Sequence, residues 1–219
     1  LARTIAIGDI HGCSTAFEAI LNAIRPRPED TIVTLGDYID RGPDSRGVLD
    51  RLIQLSRRCR LVPLLGNHDQ MLLDVRSGKH PIYWFLDIGG TATLDSYGPG
   101  RDLSLIPDEH FAFLENCLDY YETDNHIFVH ANYFPDIPMS EQPISMLRWE
   151  SLRDTNPGPH DTGKTVIVGH TSQKNGEILD LGHIKCIDTY CYGGGWLTGF
   201  DVSTEEIWQA NSQGTMRRP

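Results

Sequence analysis

The sequence predicts an α/β protein: two mixed sheets packed face to face, with helices outside. Three observations predict it. The first half alternates short apolar strand-like runs with segments of helical period. The second half is hairpin-rich, with short runs separated by two-residue turn signals. Five of the strand-like runs end in a polar side chain able to hold a metal ion, which is not a core-packing pattern.

Taken in order, residues 3–7, 31–35 and 60–65 are short, largely apolar and rich in β-branched residues or leucine, as expected of strands covered on both faces. Between the first two, Ser14–Ile24 carries Phe17, Ile20, Leu21 and Ile24 at helical spacing, with Ser14 placed as an N-cap. Between the second and third, residues 44–56 gather Val48, Leu49, Leu52, Ile53 and Leu55 on one side, with Asp44 or Ser45 at the start. An order β-α-β-α-β implies parallel strands. The stretch 78–108 is the least legible; Gly89-Gly90, Tyr97 and Pro99 suggest a loop or small cap beside the site, and Trp84 and Phe85 read as core residues. Beyond it, 119–123 and 126–130 flank Asp124-Asn125, and 177–181 and 184–188 flank Gly182-His183, both as tight hairpins. Residues 196–202 and 206–209 form a closing pair around Ser203-Thr204. With no repeat, linker or low-complexity tract, the 219 residues read as one domain, 1–219.

Composition narrows the partners. A net charge of −11 with no basic stripe argues against a nucleic-acid backbone. The run Arg57-Arg58-x-Arg60 reads as a solvated helix end. No apolar stretch approaches a membrane span and no signal peptide precedes the first strand, so no membrane partner is expected. Five cysteines, an odd number without framework spacing, favour free thiols and a cytoplasmic protein. Cys186 and Cys191 are the two that oxidation would pair. Oligomeric state leaves no signature in the sequence.

The chemistry sits in Gly8-Asp9-Ile10-His11-Gly12, Gly36-Asp37-Tyr38-Ile39-Asp40-Arg41-Gly42 and Gly66-Asn67-His68-Asp69. Each follows a strand-like run, and open α/β sheets bind ligands beyond the carboxyl ends of their strands. The flanking glycines let the chain turn sharply there, so Asp9, Asp37 and Asn67 are expected to converge. Two later runs, ending in His130 and His170, repeat the pattern. Carboxylates, an amide carbonyl and imidazoles without a cysteine cluster suit Mn, Fe or Zn. His80, His110, His126 and His183 read as structural histidines.

Gly158-Pro159-His160-Asp161-Thr162-Gly163-Lys164-Thr165 satisfies the phosphate-loop expression in full. Such a loop needs a strand before it and a helix after it. Here Pro157 precedes and the strand-like Thr165–Val168 follows, so the segment reads as the turn leading to His170.

These motifs resemble those of the phosphoprotein phosphatase branch of the calcineurin-like metallophosphoesterases, including bacterial and phage serine/threonine phosphatases. The pattern Gly-Asp-x-His-Gly, Gly-Asp-x-x-Asp-Arg-Gly, Gly-Asn-His-Asp and two later histidines occurs here in order, over nearly the whole chain. The resemblance implies a four-layer αββα sandwich and two divalent ions, manganese first, with iron and zinc as alternatives. Asp9, His11 and Asp37 would hold one ion, Asn67, His130 and His170 the other, with Asp37 bridging. A hydroxide shared by the ions would attack the phosphorus in line. His68 would act as general acid, oriented by Asp40. Arg41 would grip the phosphate, with Arg148 the candidate second arginine and Arg153 close behind. The stretch from Ile187-Asp188-Thr189 to Gly195-Trp196-Leu197-Thr198 also resembles a family segment, although Tyr190 stands where the family usually has glycine. Val129-His130-Ala131-Asn132 departs from the eukaryotic pattern towards bacterial relatives.

The expected function is hydrolysis of phosphomonoesters, foremost on serine or threonine of a phosphorylated protein, or on a small phosphoester. The alternative is a dinucleoside polyphosphate (diadenosine tetraphosphate) hydrolase. Asp40 counts against it, because that family usually lacks the aspartate, and no aromatic or basic platform for nucleosides is evident. A non-catalytic metal-binding protein on this fold is a third reading. It would be expected to have lost ligands, and none is missing.

Overall fold

The computed structural model describes residues 2–218. Strands β1 (Thr4–Ile7), β2 (Thr31–Thr34) and β3 (Arg60–Pro63) pair in parallel, Thr4 opposite Thr31 and Thr31 opposite Arg60. The crossovers are α1 (Ser14–Ile24) and α2 (Ser45–Ser56). After β3 come α3 (Asn67–Arg76), the short helices α4 (Ile82–Phe85) and α5 (Thr91–Tyr97), and α6 (Asp108–Glu115). A second sheet follows from β4 (Tyr120–Glu122), β5 (His126–Val129), β6 (Thr165–Val168), β7 (Leu179–Asp180) and β8 (Ile184–Cys186), with α7 (Ile144–Trp149) between β5 and β6. The chain then returns to the first sheet as β9 (Leu197–Asp201) and β10 (Ile207–Ala210). Strand orders are β10-β9-β1-β2-β3 and β4-β5-β6-β8-β7. Both sheets are mixed: each has two parallel and two antiparallel strand pairings.

Period-2 alternation sorts the strand side chains into layers. Ile5, Ile7 and Ile32 face the helices and pack with Phe17, Ile20, Val48, Leu49 and Leu52. Ala6, Val33 and Val62 point the other way and meet Phe128, Ile167 and Ile187 of the second sheet, forming the seam between the sheets. Ile127, Val129, Val166 and Val168 face outward from the second sheet, beneath Tyr133, Met139, Leu147 and Leu152. Phe128 is fully buried at the seam, and its removal to alanine is worth about 3–5 kcal/mol.

Several local expectations change. Ser14 begins α1 but does not cap it; Cys13 occupies the cap position, and the Ser14 hydroxyl donates instead to Asp44 Oδ2 at 2.5 Å. Asp44 caps α2, its Oδ1 accepting from the Gly47 amide at 2.9 Å. The 177–181 strand shrinks to the two residues of β7. The stretch 78–108 is largely helical: α4 runs through one wide π-type turn, Leu86–Gly90, into α5, with Phe85 and Leu94 buried in the helix-side core. Gly89 takes φ 119° in that turn, a conformation open to glycine. Residues 158–164 form no helix, and β6 follows directly. All five cysteines are free, and the thiol beside Cys191 is that of Cys13, not Cys186.

Candidate metal centre

The carboxyl ends of β1, β2, β3, β5 and β6 meet along one edge of the sandwich, and each delivers side chains there. Backbone strain marks the meeting point: His11, Asp37, Asp40, Arg41 and His170 all have φ between 44° and 71°, which non-glycine residues adopt only when their surroundings hold them. The loops are tied together, since the Ile10 and His11 amides both donate to the Asp37 carbonyl, at 3.1 and 2.8 Å. Two glycines allow the closest approaches. A Cβ on Gly66 would fall 2.2 Å from Asp37 Oδ1, and one on Gly169 2.0 Å from Asp9 Oδ1.

Two groups of side chains bring ligand atoms within 4.8 Å of one another: His11, Asp37 and His68, and Asp37, His130 and His170. Asp37 belongs to both. His11 Nε2 lies 3.3 Å from Asp37 Oδ2, and His130 Nε2 3.5 Å from Asp37 Oδ1. Asn67 Oδ1 sits between two imidazoles, 3.1 Å from His130 Nε2 and 3.0 Å from His170 Nδ1. Asp9 Oδ2 accepts from the His170 amide at 2.9 Å, while its Oδ1 is buried with no partner among the described residues.

Carbonyl groups settle which ring nitrogens are bare. His11 Nδ1 donates to the Ile39 carbonyl at 2.8 Å, His130 Nδ1 to that of Leu35 at 2.7 Å, and His170 Nε2 to that of Trp149 at 3.0 Å. Such outer partners fix the tautomer of metal-binding histidines. Burial lowers His130, and burial together with His130 pushes His170 down to about 4, which favours the neutral form of both rings. Their remaining nitrogens therefore aim lone pairs at the Asn67 carbonyl oxygen. Lone pairs converging at about 3 Å repel unless a cation lies among them. Burial, then Asp188 and Asp37, push Asp9 well above the usual carboxylate range. Burial would also raise Asp37, but His130, His68 and His11 hold it well below that range. The donor set and the orphaned Asp9 oxygen fit divalent cations.

His68 lies in the first group, yet both its ring nitrogens are engaged: Nδ1 lies 2.7 Å from Asp40 Oδ2, and Nε2 3.0 Å from Arg41 Nη2. Burial would lower it, but Asp37 and Asp40 outweigh this and raise it. Asp40 is fully buried; its Oδ1 accepts from the Thr93 hydroxyl at 2.6 Å, and its amide donates to Thr93 Oγ1 at 2.8 Å and Ser45 Oγ at 3.1 Å. Arg41 Nη1 donates to the Tyr192 hydroxyl. Asp69 braces the α3 start, accepting from the Gly66 and Tyr38 amides, both at 3.1 Å. Burial, then Asp37, push Asp69 up to about 8.

Sequence reasoning missed Thr93 and Tyr192. Thr93 lies in the segment it could not read. Tyr192 had a signal, since it falls in the quoted 187–198 stretch. Arg148 does not join the cluster in this structure; its guanidinium donates to Asp119 and, at 3.0 Å, to Gln70 Oε1. Arg153 Nη2 donates to the Ser172 carbonyl at 2.5 Å. His110 is a buried structural residue between Tyr97 and Asp50, at 2.6 and 3.0 Å.

Comparison with known proteins agrees with this architecture. A family model described as calcineurin-like phosphoesterase matches residues 2–204. The chain is 28% identical over 198 residues to serine/threonine-protein phosphatase 1 of Salmonella typhimurium, covering 88% of each. It is 34% identical over 133 residues to the symmetrical bis(5'-nucleosyl)-tetraphosphatase of a Janthinobacterium species, covering 60% of this chain but 44% of that protein. A crystal structure proposed to be a diadenosine tetraphosphatase superimposes with a TM-score of 0.73 at 24% identity, covering 95% of this chain and 93% of that one. A cold-active protein tyrosine phosphatase gives 0.65 at 17% identity, covering 99% and 78%. At those identities the structures speak for the fold, and the family match speaks for descent: the chain belongs to the calcineurin-like phosphoesterase family.

Proposed function

We propose that this chain hydrolyses phosphomonoesters with two divalent ions, and that its substrates are phosphoserine and phosphothreonine in proteins. The observation that carries the reading is the chain Asp40–His68–Arg41 set directly beside two potential ion sites that share Asp37. In this reading Asp9, His11 and Asp37 hold one ion, and Asp37, Asn67, His130 and His170 the other. Manganese is the first candidate, with iron and zinc as alternatives, and the protein works in the cytoplasm. Bound there, the ions would supply a nucleophilic water of lowered pKa and neutralise charge on the phosphoryl group.

The chain's own groups do the rest. Arg41 offers a planar fork to the non-bridging oxygens. His68 gives its Nε2 proton to the leaving alkoxide, and Asp40 orients the ring and favours its charged form. An arginine N–H aimed at Nε2 and a proton on Nε2 exclude each other. A phosphate that draws the guanidinium to its own oxygens therefore frees Nε2 to carry the proton.

Similarity over 88% of both chains to a serine/threonine phosphatase supports this choice. The second reading is a symmetrical dinucleoside tetraphosphatase, and one structural observation favours it. Half-buried Tyr192 lies beside His11 and Arg41, and half-buried Tyr190 meets it with ring centroids 4.8 Å apart, whereas the sequence had offered no aromatic platform. Side-by-side kcat/KM values for a phosphothreonine peptide, a phosphoserine peptide and diadenosine tetraphosphate test the choice. We expect the peptides to be preferred; faster cleavage of the dinucleotide overturns the substrate assignment and leaves the ion sites standing.

A further inference from the structure

The loop between β8 and β9 holds a tyrosine in a conformation that suits glycine. Tyr190 has φ 67° and ψ 44°, the left-handed region, where a bulky residue is an outlier. Its amide donates to Asp188 Oδ1 at 3.0 Å, and its carbonyl accepts from Gly193 and Gly195 at 3.1 and 2.8 Å. A Cβ on Gly193 would fall 2.0 Å from Tyr190 Cζ, so the ring rests directly on that glycine. Lys174 Nζ stands 5.8 Å from the ring centre, within cation–π range. Between the two tyrosines, Cys191 is 1% exposed and anchors the turn in the helix-side core. Strain of this kind persists only where the surroundings over-determine it, and it gathers at functional sites.

Tyr190 leads to the site through its neighbour. The Tyr192 ring meets Tyr190 edge-on, centroids 4.8 Å apart at 69°, and meets His11 at 4.8 Å and 78°. The Arg41 guanidinium carbon lies 4.6 Å from the Tyr192 ring centre, with Nη1 donating to its hydroxyl. The other amino group, Nη2, is 3.0 Å from His68 Nε2. Arg41 itself is exposed, so without these holds a long flexible side chain would have to be ordered when substrate binds.

We propose that Tyr190 and Tyr192 are positioning residues: Tyr190 props Tyr192, and Tyr192 holds the Arg41 fork at the site, where phosphate can draw it off His68 Nε2. The inference rests on Arg41 being the phosphate-binding arginine. It assigns a reason to the tyrosine at 190. A glycine would suit that backbone better but would leave Tyr192, and through it Arg41, without a prop.

Because glycine favours the left-handed region, Tyr190→Gly removes the ring without deforming the backbone, and its melting temperature should equal or exceed that of the parent. In metal-loaded protein, Tyr190→Gly and Tyr192→Phe should each raise KM for p-nitrophenyl phosphate and Ki for inorganic phosphate by about fivefold, with smaller changes in kcat. In an Arg41→Ala background both substitutions should fall silent, because residues acting through one group are not additive. Equal penalties with and without Arg41, or no penalty in either background, would overturn the proposal. If Arg41→Ala alone leaves KM and Ki unchanged, the phosphate role of Arg41 is what fails, and the positioning role falls with it.

Discussion

His68 and Asp40 form a buried pair, Nδ1 to Oδ2 at 2.7 Å, whose carboxylate is held from behind by the Thr93 hydroxyl at 2.6 Å. Three segments of the chain thus meet to orient one imidazole: the loop after β2, the start of α3, and α5.

That relationship separates proton transfer from ion binding. His68→Ala should retain its ions and lower kcat by about 10²–10⁴ on alkyl phosphates, and by less on aryl phosphates, whose leaving groups need less protonation. Thr93→Val should lower kcat less than His68→Ala does. It removes a hydrogen bond worth about 1–3 kcal/mol to a charged acceptor and leaves the acid present. Equal losses on both substrate types for His68→Ala would mean another role for that ring.

Metal content is the second test. Elemental analysis after reconstitution with excess manganese should approach two ions per chain, and Asp37→Asn should lose both. A ratio fixed at one with full activity would contradict the shared carboxylate.

Gly169 gives a test in which no candidate ligand is itself mutated. Its φ is not positive, so alanine meets no backbone penalty there, yet its Cβ would lie 2.0 Å from Asp9 Oδ1. Gly169→Ala should displace Asp9 and cut the occupancy of one ion while leaving the far-ultraviolet circular dichroism unchanged. Full occupancy in that variant would remove Asp9 from the ligand set.

Far from the site, Asp30 carries a pH-dependent share of stability. Its carboxylate accepts from the Arg3 amide at 3.1 Å, Arg3 Nη2 at 2.6 Å and the Arg27 amide at 2.9 Å, joining β1 to β2. Burial would raise its pKa, but the Arg3 and Arg27 hydrogen bonds outweigh this and lower it below 3.8. A depressed carboxylate stabilises the fold above its unfolded pKa, and that contribution drains away as pH falls through the folded value. Asp30→Asn should therefore cost about 1–3 kcal/mol at pH 7. Urea titrations should show the difference shrinking as pH falls below the ordinary carboxylate range.

The β1–α1–β2–α2–β3 order was legible because each element carries its own period: Ile5, Ile7 and Ile32 alternate, while Phe17, Ile20 and Ile24 recur at helical spacing. The ligand-bearing loops were legible because glycine brackets them. The cap was not, because α4 and α5 are four and seven residues long, too short to form without tertiary support. What holds them is the burial of Phe85 and Leu94, a contact with no local signature. The pairing of Arg148 was hidden for a related reason: its partner Asp119 lies 29 positions away, and a sequence shows an arginine without showing what already occupies it.

The seam between the sheets gives the site a second consequence. Asp9 and the His170 amide, 161 positions apart, are joined by a hydrogen bond across it, and the remaining candidate ligands are likewise drawn from both sheets. An ion bound there would staple the two halves of the chain and would be held by the native state alone. At a free concentration a thousand times its dissociation constant, such a ligand adds about 4 kcal/mol. Long-range contacts of this kind close late, so most of that energy falls on the unfolding rate and little on the folding rate. Metal supply would then govern the lifetime of the folded enzyme as well as its turnover, and ion-depleted molecules would be the first lost to proteases.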